Sequence, residues 1–249
     1  MNLSLMLIMC LFMKNKIILI FTIINFLLVV SVFIFIILVN NKNNISGVEI
    51  FNDNLLTTVE MKASSENRES FGTGFFIDDN GTIITNAHIV VYTSSSVVQE
   101  YDKYEIRFSS ENDYIKVKLL RYDFNLDLAM LVFDADSNFK CVNLKDTNIL
   151  NGEVVYTIGN MQNYGLSIAK GIVSKKELKI NINNFEKSVI QLNISVSEGN
   201  SGGPVFSKNG ECIGIVSFRL KDGLNQLNYG YCYAISSNII KEFAKNVTL

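Results

Sequence analysis

Ser201 sits in the string Gly199-Asn200-Ser201-Gly202-Gly203-Pro204, just ahead of the apolar pair Val205-Phe206. A serine hydroxyl of ordinary acidity is a weak nucleophile near neutral pH and needs a neighbouring base to take its proton. The oxyanion formed when it attacks a carbonyl needs donors aimed at it. Flanking glycines suit both needs, because the backbone can turn sharply and present its N–H groups without side-chain obstruction. Taken alone, the same string also reads as a flexible turn. The chain has one histidine, His88, so any mechanism that needs an imidazole must use it. It lies in Thr82-Ile83-Ile84-Thr85-Asn86-Ala87-His88-Ile89-Val90, after the strand-like Phe71–Ile77 and the turn Asp79-Asn80-Gly81. A lone histidine among apolar residues is usually a core or surface residue. Asp127 opens the very apolar run Leu128–Phe133; an aspartate there is usually a turn residue, the reading given to Asp123 and Asp134 nearby.

The elements that must carry these residues read as short strands. Runs rich in β-branched and aromatic residues recur at Phe71–Ile77, Tyr104–Phe108, Tyr114–Leu120, Leu128–Phe133, Glu153–Ile158, Val189–Ile194, Cys212–Phe218 and Tyr229–Ile235. Turn signals such as Asn151-Gly152, Asn209-Gly210 and Asp222-Gly223 separate them. Tyr114-Ile115-Lys116-Val117-Lys118-Leu119 alternates apolar and polar, as a strand with one wet face does. Regular short strands with almost no helix point to an all-β sandwich or barrels. The exception is 237–246, a terminal helix capped by Ser236 or Ser237, with Ile239, Ile240 and Phe243 on one face.

Composition narrows the function classes. The formal net charge is −2 over 249 residues, and the Lys and Arg residues are scattered, so no nucleic-acid footprint is present. The four cysteines, Cys10, Cys141, Cys212 and Cys232, form no CxxC pair and no Cys/His cluster, which argues against a metal site. Cys212 and Cys232 fall on two late strands expected to be neighbours. A disulfide between them stays open, although two buried thiols are the plainer reading.

From Ile17 to Val39 no residue is charged, enough to cross a ~30 Å hydrocarbon core as a helix. The polar stretch after it, Asn40-Asn41-Lys42-Asn43-Asn44, lacks the small-residue cleavage site of a secretory signal. An uncleaved single-pass signal anchor at 17–39 is therefore favoured, followed by a linker at 40–54 and a folded domain at 55–249. Lys14 and Lys16 before the run, against Lys42 after it, lean towards a cytoplasmic N-terminus and a domain outside the cytoplasm. Met13-Lys14-Asn15-Lys16 also resembles a natural start, which would make the stretch before it an upstream extension.

Taken together, the segments G-T-G-F-F-I (72–77), T-N-A-H-I-V (85–90), D-L-A-M-L-V (127–132), G-N-S-G-G-P (199–204) and G-I-V-S (214–217) resemble the trypsin-like serine proteases, within them the HtrA/Deg-type bacterial branch. The order His, Asp, Ser is the family's. The resemblance runs from about Phe71 to the terminal helix. It implies two six-stranded antiparallel β-barrels, about 55–135 and 150–236, with the site in the crevice between them. His88 would take the Ser201 proton and Asp127 would orient the imidazole. The backbone N–H groups of Gly199 and Ser201 would form the oxyanion hole, with Asn200 in support. A polypeptide substrate would pair as an added strand with Ser217-Phe218-Arg219. Ser195, at the position six before the nucleophile, and Cys232 would line the primary specificity pocket, favouring a small or medium apolar side chain. No cofactor is called for.

Two departures from the family carry meaning. Asn200 stands where digestive-type members have the aspartate that pairs with a newly cut N-terminus, so that mode of activation is not expected. Many HtrA proteins also have a C-terminal PDZ module; none is expected here, which puts PDZ-driven recognition of substrate C-termini in doubt. Homo-oligomers, common in that branch, stay open. The competing readings are a catalytically silent adaptor on the same fold, a tethered β-sandwich of structural role, and an esterase using the same three residues.

Overall fold

The computed structural model describes residues 3–41, 45–109, 111, 113–134, 138–146, 148–182, 185–218 and 230–245. The chain divides into two units, Met1–Asn44 and Ile45–Leu249.

The first unit is one helix, α1 (Leu3–Asn41). Its 25-residue segment Met13–Ile37 contains an 18-residue window of mean hydropathy 3.0 and is long and apolar enough to cross a membrane. At 1.5 Å per residue it is roughly 38 Å long, against a ~30 Å hydrocarbon core. Its polar side chains are satisfied on the helix's own backbone: Thr22 Oγ1 donates to Leu19 O at 2.8 Å, Asn25 Nδ2 to Phe21 O at 3.1 Å and Ser31 Oγ to Leu28 O at 2.8 Å. None of the three therefore needs water or a partner helix.

In the second unit, part of the stretch read as a linker proves to be a helix, α2 (Gly47–Asn54). The cause is local. Ser46 and Glu49 form a reciprocal capping box, the Ser46 hydroxyl accepting from Glu49 N and the Glu49 carboxylate from Ser46 N. Ile50 on its inner face is buried.

Strands β1 (Thr58–Ser65), β2 (Arg68–Phe76) and β3 (Thr82–Thr85) precede a one-turn helix, α3 (Ala87–Val90). A small hairpin follows, β4 (Val91–Ser94) and β5 (Val97–Glu100), then β6 (Lys103–Arg107), β7 (Ile115–Asp123) and β8 (Leu128–Val132). These close into an antiparallel barrel in the order β1-β2-β3-β8-β7-β6. The second barrel, β10-β11-β14-β13-β12-β9, is built from β9 (Val154–Gly159), β10 (Ser167–Ile182), β11 (Phe185–Asn193), β12 (Pro204–Ser207), β13 (Cys212–Phe218) and β14 (Cys232–Ser236). The terminal helix α4 (Ser237–Ala244) follows directly. Two six-stranded barrels and a terminal helix are the architecture that the sequence motifs imply.

Strand alternation explains how the barrels fill and meet. Phe76, Ile83, Ala129 and Leu131 point into the first barrel, with Val59, Met61 and Ile106. Their neighbours Phe75, Ile84, Leu128 and Met130 point the other way and pack against Tyr156, Ile158, Phe206 and Ile215 of the second. Ile50 of α2 and Ile240 and Phe243 of α4 complete that seam. Successive residues of one strand thus serve two cores, which is why these strands are apolar without a break.

Cys212 carries a free thiol. The ladder places Gly214 opposite Ser236 and Phe218 opposite Tyr233, so Cys212 and Cys232 lie at opposite ends of the β13–β14 pair. Several residues at ~3.3 Å each separate them, far beyond the reach of a disulfide.

Candidate active site

Asp127 and His88 meet at the mouth of the first barrel. Asp127 stands immediately before β8 with φ 58, a left-handed backbone that Asp tolerates better than most residues. Asn86 holds it there, its side-chain Nδ2 donating to Asp127 O at 3.0 Å. The carboxylate then accepts from His88 N at 3.1 Å and lies 2.9 and 3.0 Å from His88 Nδ1 through its two oxygens. An ionised carboxylate can only accept, so Nδ1 is the donor, and in the neutral imidazole this leaves the lone pair on Nε2. A further donor, the Ser217 hydroxyl on β13, bonds Asp127 Oδ2 across the seam. The Asp127 side chain is only 12% exposed, whereas the His88 side chain is 43% exposed. Placing the acid inside and the imidazole outside suits a base that must reach a bound ligand.

Ser201 lines the same cavity as His88. The cavity has a volume of about 490 Å³, and Phe71, Gln162, Glu198 and Gly199 also line it. The Ser201 hydroxyl donates to Ser217 O at 3.3 Å, rather than to His88.

The loop before it fixes the direction of two amide groups. Glu198 O accepts from Gln162 N at 2.8 Å, and a trans peptide directs its N–H opposite to its carbonyl, so the Gly199 N–H points the other way. Asn200 O accepts from Gly203 N at 2.9 Å, which orients the Ser201 N–H by the same argument. Asn200 N, by contrast, donates to Ser197 O at 3.2 Å, and its side-chain Oδ1 accepts from Ser197 N at 3.2 Å. Its amide is spent inside the loop. The expectation that Asn200 supports the oxyanion as a backbone donor is corrected accordingly; Gly199 and Ser201 are the two amides left. Gly199 has φ +92, and a Cβ there would stand 2.0 Å from Asn160 O, so only glycine fits.

The expected specificity residues are not all gathered here. Ser195 is exposed in the loop after β11 and does not line this cavity. Cys232 is fully buried among Val173, Ile190, Val205 and Val216 inside the second barrel, because the β14 alternation turns it inward. It belongs to the core and not to the wall of this cavity. Ser217 and Phe218 extend β13 beyond its last pair with β12, Pro204 with Ile215, while β14 covers the other side. That leaves a strand edge beside Ser201. Arg219 lies outside the described residues.

Sequence reading passed over Thr73, Glu60 and Asn160. Thr73 N donates to Ser201 O at 2.8 Å and Thr73 Oγ1 to Gly199 O at 2.7 Å, so one residue of the first barrel clamps both ends of the loop. Its signal was visible in the Gly72-Thr73-Gly74 string, where glycines leave room for close approach. Glu60 lies in a segment that gave no strand signal of its own, yet it is a charged residue only 3% exposed.

The arrangement fits one family, and comparison with known proteins agrees: the chain belongs to the Trypsin-like peptidase domain family, which matches residues 72–215. Among its relatives are proteins named probable periplasmic serine endoprotease DegP-like. The one from Rickettsia conorii is 33% identical over 174 residues, 68% of this chain and 32% of the relative. The one from Pseudomonas putida strain W619 is 30% identical over 203 residues, 80% of this chain and 40% of the relative. The chain thus spans about a third to two fifths of the length of the curated relatives it matches. Among solved structures, the HtrA-type protease AlgW with tripeptide superposes with a TM-score of 0.67 at 21% identity, covering 80% of this chain and 62% of the other. That likeness is one of fold.

Proposed function

We propose that this protein is a membrane-anchored serine endopeptidase that cleaves polypeptides outside the cytoplasm through an acyl-enzyme. The observation that carries the proposal is a single cavity lined by Ser201 and by a His88 whose Nδ1 is bonded to buried Asp127. In the first step Ser201 Oγ leaves the Ser217 carbonyl by rotation about its Cα–Cβ bond and gives its proton to His88 Nε2. It attacks the substrate carbonyl, and the oxyanion is held by the N–H groups of Gly199 and Ser201. His88 then protonates the leaving amine, the peptide C–N bond breaks, and the acyl group remains on Ser201. Water, deprotonated by His88, releases it. The extended edge at Ser217–Phe218 supports main-chain pairing of the substrate, with little demand on its sequence. The domain occupies 55–249 together with the α2 helix before it.

The anchoring half rests on Met13–Ile37 and on the lysines flanking the apolar run. The extracytoplasmic location draws further support from relatives named as periplasmic endoproteases.

Hydrolysis of casein by the full chain in detergent, with Ser201→Ala and His88→Ala as controls, tests the chemistry. Release is expected from the parent and from neither variant; equal release from all three would end the proposal. Extraction of expressing cells with alkaline carbonate tests the anchor, and the chain is expected to stay in the membrane pellet.

A further inference from the structure

The oxyanion loop of the second barrel is braced by a buried carboxylate of the first. Glu60 on β1 pairs across the sheet with Arg107 on β6 and with Thr73 on β2. Direct cross-strand partners face the same side, so Arg107, Glu60 and Thr73 form one row along the seam. Glu60 Oε2 accepts from Arg107 Nη2 at 2.7 Å and from Asn160 Nδ2 at 2.8 Å. Asn160 follows β9; its backbone N donates to Thr73 Oγ1 at 2.9 Å, its side-chain Oδ1 accepts from Gly165 N at 2.9 Å, and it is fully buried. Thr73 Oγ1 passes the chain on by donating to Gly199 O at 2.7 Å. Arg107 ends the row at the surface, its guanidinium 4.7 Å from the centre of the Tyr114 ring.

A buried carboxylate is costly unless it is paired and hydrogen-bonded, and here Oε2 takes both an ion pair and an amide bond from groups along the seam. A bond from a neutral amide to a charged oxygen is also stronger than one between neutral groups. Asn160 is therefore held at both ends, and with it the turn Met161–Asn163, in which Gln162 takes a left-handed φ of 54. That turn supplies the amide that fixes the Glu198 carbonyl and so the direction of the Gly199 N–H.

We infer that Glu60, supported by Arg107, is a positioning residue that sets the Gly199 amide through Asn160 and the Met161–Asn163 turn, with Thr73 anchoring the Gly199 carbonyl, coupling the first barrel to the second barrel's oxyanion donor. The inference deepens the proposed endopeptidase role, and its test is built to fail separately from it. Glycine-selective ¹⁵N labelling of the full chain in detergent micelles reads the Gly199 amide directly, with or without activity. Glu60→Leu is expected to shift or broaden the Gly199 resonance. Glu60→Gln keeps an oxygen for Asn160 and is expected to restore it. Asn160→Asp, which sets a second carboxylate against Glu60 with almost no change in shape, is expected to act like Glu60→Leu and serves if that variant does not fold. In hydrolysis of a peptide substrate, Glu60→Leu and Asn160→Asp should lower kcat by ~10–100-fold, part of the loss seen when an oxyanion donor is removed outright. KM should change less than about twofold, since a misdirected amide is felt only where charge develops. A Gly199 resonance unmoved in both variants overturns the brace, whatever the enzyme does. A moved resonance in a chain whose parent hydrolyses nothing upholds the brace and rejects the endopeptidase role instead.

Discussion

At the scale of single residues, Asp127 is where backbone and chemistry meet. Its left-handed φ of 58 is better tolerated by Asp and Asn than by most residues. Asp127→Asn therefore keeps the local fold and changes only what is offered to His88 Nδ1. An amide in that place can donate and so favours the wrong tautomer of the imidazole. The expected outcome is a fall in kcat of ~10⁴ with an unchanged circular dichroism spectrum, measured on a peptide ester. The three residues proposed for chemistry were legible in the sequence because each stands in a string with its own demands: glycines around Ser201, an apolar strand behind Asp127, and the one histidine. The positioning residues were not. Glu60 carried no signal in the sequence, and only the second barrel packed against its face of β1 turns it into a buried acceptor. Asn200 shows the opposite error, since the family motif implied a supporting donor and the loop's own hydrogen bond to Ser197 uses that amide.

At the scale of elements, runs of β-branched and aromatic residues between turn signals located most strands, and the capping box Ser46–Glu49 was a readable helix start inside a stretch taken for linker. What alternation cannot say is which of two cores a residue enters. Cys232 illustrates this, being assigned to a pocket wall on its motif position and found inside the second barrel. Cys212 on β13 gives the barrel a measurable pH dependence. Burial raises its thiol from the ordinary 9.0 to about 12. A group with a raised native pKa contributes its full stabilisation below the unfolded value and loses it as the pH climbs towards the native one. The stability difference between the parent and Cys212→Ala should therefore shrink from pH 9 upward, as followed by urea unfolding. A difference that stays flat across that window would show that the thiol ionises alike in both states.

At the scale of the whole molecule, neither barrel holds all of the proposed site. The imidazole and its carboxylate belong to the first, the hydroxyl and both amide donors to the second, and Ser217 bonds Asp127 across the seam. Thr73 adds backbone and side-chain bonds to the loop around Ser201. The fold was legible because each barrel leaves its own motifs; the seam was not, because its contacts join residues far apart in sequence, 100 positions for Glu60 and Asn160 and 126 for Thr73 and Gly199. The central claim is that these two halves make one reactive serine. Its most direct measurement is the mass of the intact chain after treatment with a fluorophosphonate, which forms a tetrahedral adduct only on a hydroxyl that is deprotonated and served by oxyanion donors. One phosphonyl group on Ser201 in the parent, and none in His88→Ala, is the predicted result. An unmodified parent, or equal labelling of the two proteins, would contradict it.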